Sequence, residues 1–163
     1  MMKTASIIAL STLSILAAPL AAQTAAPDAA SAEATIFGIE QAILTGRGKG
    51  DLSPYLNAIG PKYLGWPPTM AEPLSMEGFK RDAVNESALN GETTTMEKHG
   101  FTMANGTALA YFSTHRTMLG VGFADKDGNR IVDQRYENIH VWSWDGTRWT
   151  LVGGMARAVP DRK

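Results

Sequence analysis

The run from Gln134 to Gly154, QRYENIHVWSWDGTRWTLVGG, sets two apolar-alternating segments on either side of Asp145-Gly146. Asp-Gly accepts the positive φ of tight turns whose twist matches paired strands, so the run predicts a β-hairpin. Three of the chain's 4 tryptophans, Trp142, Trp144 and Trp149, fall inside it. Indoles bury large apolar areas, which makes this hairpin the expected centre of the core. With a two-residue turn, Trp144 faces Thr147, Trp142 faces Trp149 and His140 faces Leu151. One sheet face then carries Tyr136, Asn138, His140 and Trp142 beside Trp149, Leu151, Gly153 and Met155. The other face carries Arg135, Glu137, Ile139 and Val141, with Arg148, Thr150 and Val152 beside them.

Before Gly91 the apolar period is helical. Glu33 to Thr45 places Ile36, Ile39, Ile43, Phe37 and Leu44 near one stripe, with Ser31 as N-cap and Gly46 as terminator. Asp51 or Ser53 caps a short second helix carrying Leu52, Tyr55, Leu56 and Ile59, closed by Gly60-Pro61. Lys62 to Trp66 reads as a brief strand that enters the proline-rich loop WPPTMAEP. Ser75 caps a third helix with Met76 and Phe79 on its buried side.

After Gly91 the period is two. Strands are expected over Thr93 to Ala104, Thr107 to Ala124, Arg130 to Trp144 and Thr147 to Ala158, joined at Asn105-Gly106, at Asp125 to Asn129 and at Asp145-Gly146. In the second of these the apolar residues switch from even (Ala108, Ala110, Phe112) to odd (Leu119, Val121, Phe123) positions. A β-bulge near Ser113 to His115 would keep both sets inward. The expectation is an α+β domain, three N-terminal helices packed on a bent antiparallel sheet.

The first residues, MMKTASIIALSTLSILAAPLAAQ, combine a basic Lys3, a short apolar run and small residues, the pattern of a secretory signal peptide cut after Ala22. Residues 23–32 read as a flexible leader, 33–158 as the domain and 159–163 as a tail. An export destination, periplasmic or secreted, follows, with no membrane attachment once the signal is removed. The chain has 0 cysteines, so disulfides, thiol nucleophiles and cysteine metal sites are excluded. A net charge of −1 without a Lys/Arg block argues against nucleic acid as a partner.

The helical first half, the Gly50-Asp51 break and the ending RYENIHVWSWDGTRWTLVGGMAR together resemble the nuclear transport factor 2-like superfamily, over roughly Glu33 to Arg157. The ending is similar to the calcium/calmodulin kinase II association-like and SnoaL-like branches. The resemblance implies a cone-shaped fold with a tunnel between helices and concave sheet, and a dimer formed through the outer sheet face. In the family's ketosteroid isomerases it also implies a base after the first strand, an acid on the third long strand and a tyrosine on the first helix. Those positions fall at Trp66, at His140 and near Ile43, none of which keeps the group in kind. Ketosteroid-type isomerisation is therefore disfavoured.

The inner hairpin face suggests an apolar pocket with a few polar anchors. Candidate ligand-binding residues are Tyr63, Trp66, Tyr111, His115, Tyr136, Asn138, Trp142 and Arg157, the last as a clamp for a carboxylate. His140 is the candidate catalytic group, because imidazole exchanges a proton near neutral pH. The competing reading is that Asn138 and His140 are core-edge residues bonded to backbone, since polar strand residues are more often structural. His99, His115 and His140 do not form a local ligand motif, and neither metal nor cofactor is expected. Asp125 to Asn129 lacks the closing glutamate of a calcium loop, and no Gly-x-Ser-x-Gly elbow or phosphate loop is present. The expected function is exported binding of a small apolar or aromatic molecule, with a carboxylate among its options, by a homodimer. The alternatives are a lyase, isomerase or cyclase using His140, and an assembly module with a vestigial pocket.

Overall fold

The first helix begins at Asp28, whose carboxylate accepts the Ser31 amide at 3.0 Å and the Ser31 hydroxyl at 2.8 Å. An aspartate cap followed by alanines starts a helix readily, so α1 runs Ala29–Gly48 and begins four residues ahead of Glu33. In the computed structural model the described residues are 25–68, 70–86, 92–118 and 133–160. The signal peptide, the Asp125 to Asn129 loop and the odd-parity residues Leu119, Val121 and Phe123 lie outside them. Gly46 sits inside α1 against the Asp51 carbonyl, and the turn is made by Gly50 at φ 70°.

Helix α2, Ser53–Ala58, carries Pro54 in its first turn and leads directly into β1, Ile59–Trp66. A two-residue β2, Leu74–Ser75, precedes α3, Met76–Glu86, where the Ser75 hydroxyl accepts the Gly78 amide at 3.2 Å. Four long strands follow: β3 Glu92–Ala104, β4 Thr107–Met118, β5 Asp133–Trp144 and β6 Trp149–Val159.

The sheet has six strands in the order β2-β1-β6-β5-β4-β3. It is mixed rather than antiparallel, because β1 lies parallel to β6 while the other pairs are antiparallel. Nothing local dictates that pairing, since the two strands are joined by no turn. Asn105 and Gly106, at φ 50° and 71°, form the two-residue β3–β4 turn that their sequence predicts.

Two register expectations are corrected. The described part of β4 pairs with β5 without interruption from Thr107↔Ser143 to Thr117↔Asp133, and the irregularity lies in β3 between Lys98 and Gly100. The β5–β6 turn is also longer than two residues. Asp145 Oδ1 accepts the Thr147 amide, the Arg148 amide and the Thr147 hydroxyl, and Trp144 pairs with Trp149. That displacement is two residues, so Trp142, Trp144 and Trp149 stay on the inner face. A second irregularity opposite Val141/Trp142 leaves Leu151 facing Trp142, brings Gly154 opposite His140 and turns Met155 outward, 52% exposed.

The core lies between α1 and the inner sheet face, with Ile36, Phe37 and Ile43 packed on Ala108, Ala110, Phe112, Trp142 and Leu151. Among the described residues, no helix is long and apolar enough to cross a membrane.

Candidate functional site

Helix α1 presents Glu40, Ile43, Leu44 and Arg47 to a partly open cavity of about 120 Å³. Their spacing of three, four and seven residues is that of one helical stripe. Across from them stand alternate residues of β4 (Phe112, Thr114, Arg116) and β5 (Tyr136, Asn138, His140), joined by Gly154, Met155 and Ala156 of β6. Tyr55, Tyr63 and Phe79 close the end formed by α2, β1 and α3, and Trp66, Pro67 and Pro68 also contribute.

The centre of the site is a pair joined across the fold. Glu40 Oε1 lies 2.6 Å from His140 Nδ1 and accepts the Trp142 indole N–H at 3.1 Å. Glu40 is 1% exposed, so its carboxylate is held by these two donors rather than by water. Glu40 occupies the Nδ1 side of the ring, so Nε2 is the nitrogen left for a proton exchange with a ligand. Phe112 and the imidazole meet in a T-shaped contact with centroids 5.2 Å apart.

Toward the first strand, the Tyr55 and Tyr63 hydroxyls share a hydrogen bond of 2.8 Å. Burial, reinforced by Tyr63, pushes the Tyr55 phenol well above its ordinary range. At the far end, Arg47 and Arg116 approach one oxygen, Glu92 Oε1, at 3.7 and 3.8 Å. The Arg116 guanidinium stands 4.9 Å over the Tyr136 ring. Tyr136 is pushed up by burial, with Arg116 opposing the shift.

The structure brings together part of the expected set. Tyr63, Tyr136, Asn138 and His140 line the cavity, and Trp66 borders it while 45% exposed, its indole N–H donating to the Met70 carbonyl at 3.0 Å. Asn138 spends its amide on the Phe112 carbonyl and the Thr114 hydroxyl, both at 3.3 Å, the structural role that competes with a ligand contact. Trp142 is fully buried behind the wall and acts through Glu40.

Three candidates lie away from the cavity. Tyr111 and His115 have odd parity on the uninterrupted β4 and fall on the opposite face, where His115 contacts Asp133. Arg157 is turned outward by the β6 irregularity and donates to Glu137 at 2.7 Å. Among the described residues, no group of His, Asp and Glu could hold a metal ion.

Sequence reasoning missed Glu40, Arg47, Tyr55 and Arg116. The signal for the first two was present: Glu40 and Arg47 occupy the inward stripe Ile36, Glu40, Ile43, Leu44, Arg47, where a solvated charge is out of place. Arg116 shares even parity with Phe112 and Thr114.

No protein-family model and no curated protein sequence matches the chain. Solved structures do. An NTF2-like protein from Cytophaga hutchinsonii superimposes with a TM-score of 0.63 at 14% identity, over 78% of this chain and 98% of that one. An NTF2-like protein of unknown function from Pseudomonas putida gives 0.63 at 12% identity, over 82% and 97%. The CaMKII hub of S. rosetta gives 0.60 at 20% identity, over 77% and 95%. At these identities the likeness is one of architecture, and the architecture of this chain is the NTF2-like fold.

Proposed function

We propose that this chain is an exported binding protein for a small apolar or aromatic molecule, taken up between α1 and the inner sheet face. The observation that carries the reading is the cavity itself, about 120 Å³, walled by Ile43, Leu44, Phe79 and Phe112 with a few convergent polar groups. An apolar cavity of about 150 Å³ suffices for benzene, so the space suits a ligand of ring size. Trp142 and Trp149 belong to the buried core and do not line the cavity. Export rests on the Lys3, apolar and small-residue pattern of the first residues. Native mass spectrometry and thermal shift against ring-sized compounds test the binding. Ala156→Leu, which fills the cavity from β6, should abolish it. A library in which no such compound binds would remove the reading.

A second reading, proton transfer by His140 in a lyase, isomerase or cyclase, is favoured by the 2.6 Å contact with Glu40. A carboxylate that orients an imidazole in a cavity is an arrangement used for general acid–base work. Deuterium exchange from solvent into ring-sized enolisable ketones should then be lost in His140→Ala. Equal exchange by the wild type and the variant would exclude it.

Self-association through the outer sheet face is part of the proposal. Leu64, 56% exposed, lies on that face, and a hub is among the structures of this fold. A monomer in sedimentation at micromolar concentration would count against it.

A further inference from the structure

We propose that the cavity takes a small neutral ring compound bearing a hydroxyl, of the phenol class, whose O–H donates to Asn138 Oδ1. The inference rests on the binding reading above and names the ligand class for that same cavity. Asn138 lines the wall from β5 and is 6% exposed. Its amide nitrogen has three acceptors in reach, the Phe112 carbonyl and the Thr114 hydroxyl at 3.3 Å and the Tyr136 carbonyl at 3.4 Å. Carbonyl oxygens only accept, so the NH2 must face them, and the orientation of the amide is fixed by its network. Oδ1 is left on the other side of the amide, where no described residue donates to it. Trp149 Nε1 is sealed in the packing without a partner, whereas Asn138 Oδ1 keeps accessible surface. For a side chain buried this deeply in the wall, the space it opens on is the cavity.

An amide oxygen held out of bulk water without a donor is costly, and a ligand that brings an O–H offsets that cost. His140 does not discriminate between ligands in this way, because imidazole Nε2 donates or accepts according to its tautomer. Thr114 narrows the class further. Its hydroxyl is 1% exposed and accepts from Asn138, while its own proton goes to no described acceptor. A ligand hydroxyl answers both neighbours, donating to Asn138 and accepting from Thr114, whereas an ether or a ketone answers only Thr114. An ammonium group would exchange water for a neutral oxygen, which does not compensate its desolvation, and Glu40 is already engaged by His140 and Trp142. Ile43, Leu44, Phe79 and Phe112 supply the apolar walls for the ring itself.

The test measures binding of phenol by calorimetry and thermal shift, beside toluene, with a methyl in place of the hydroxyl, and anisole, which keeps the oxygen without its proton. Phenol should bind at least about tenfold more tightly than either, the margin of one hydrogen bond to an acceptor otherwise left without a donor. Asn138→Leu, which removes the acceptor at similar size, should erase that preference. Thr114→Val should reduce the preference for phenol over toluene, and provides the readout should Asn138→Leu melt below the assay temperature. Toluene or anisole binding as well as phenol would overturn the hydroxyl site and leave the pocket reading standing. Binding of none of the three would overturn both. Benzylamine or benzoate binding more tightly than phenol would overturn the neutral class. A preference for phenol that survives undiminished in both variants would overturn its placement at Asn138.

Discussion

Glu40 Oε1 and His140 Nδ1 lie 2.6 Å apart with a sequence separation of 100, and the same oxygen accepts the Trp142 indole N–H. One buried carboxylate therefore ties α1 to β5 at two points. Removing it strands an imidazole and an indole N–H in the core. Glu40→Ala should cost about 3–5 kcal/mol, the range for breaking a buried charged contact. Glu40→Gln keeps an acceptor and should cost clearly less. Urea unfolding of both variants checks the order, and equal losses would mean that the charge and its geometry contribute nothing.

Trp144 and Trp149 meet in a tilted contact, 57° between planes and 5.6 Å between centroids, yet their surroundings differ. Trp149 is buried, while Trp144 is partly open beside the Asp145 turn. Trp149→Ala should cost about 3–5 kcal/mol and Trp144→Ala clearly less. The Trp149 Nε1 is buried without a hydrogen-bond partner, so Trp149→Phe also removes an unsatisfied donor and should lose far less than Trp149→Ala. Similar losses for the Phe and Ala variants would contradict this packing.

These tryptophans also show how much of the fold could be read in advance. The Asp145-Gly146 signal located the hairpin, and a turn two residues longer than expected left the inward face of β5 unchanged, because side chains alternate with period two. Tyr136, Asn138 and His140 therefore fell where alternation put them. Irregularities are different, since one unpaired residue in β6 moved Met155 and Arg157 outward without any mark in the residues around it. Tyr111 and His115 lie off the cavity face for the opposite reason, because the described part of β4 pairs with β5 without a bulge and the irregularity lies in β3. Glu40 and Arg47 were legible as charges on an apolar stripe. Their partners His140 and Glu92 come from distant strands that only the tertiary pairing brings near.

The Asp145 turn has a pH signature. Hydrogen bonds from the Arg148 amide, and then from the Thr147 hydroxyl and amide, lower the Asp145 carboxyl from 3.8 to about 2. A pKa depressed on folding contributes stability that is present above the unfolded value and lost as pH falls toward the folded one. Wild type should therefore melt above Asp145→Ala at about pH 6, and the part of the gap due to ionisation should disappear between about pH 4 and pH 2. Melting curves recorded across that window decide it. A gap that widens toward pH 2 would show the opposite linkage.

Gly154 is opposite His140 in the β5–β6 pair, and its lack of a side chain makes room for the imidazole. A Cβ added there would stand 2.5 Å from the Ile139 carbonyl oxygen and 2.7 Å from His140 Cδ2. The carbonyl belongs to a paired strand and cannot retreat cheaply, so Gly154→Ala must spread the strands or turn the ring away from Glu40. It should cost about 1–3 kcal/mol, the range for overpacking, and it should shift the His140 ring resonances. Gly38 provides the contrast: it is an exposed α1 residue with nothing within 4 Å of an added Cβ. Gly38→Ala should stabilise by up to about 1 kcal/mol through helix propensity and leave the His140 resonances alone. If Gly154→Ala matched wild type in both stability and His140 shifts, the β6 register that places Gly154 against His140 would be wrong. The shape assigned to that wall of the cavity would be wrong with it.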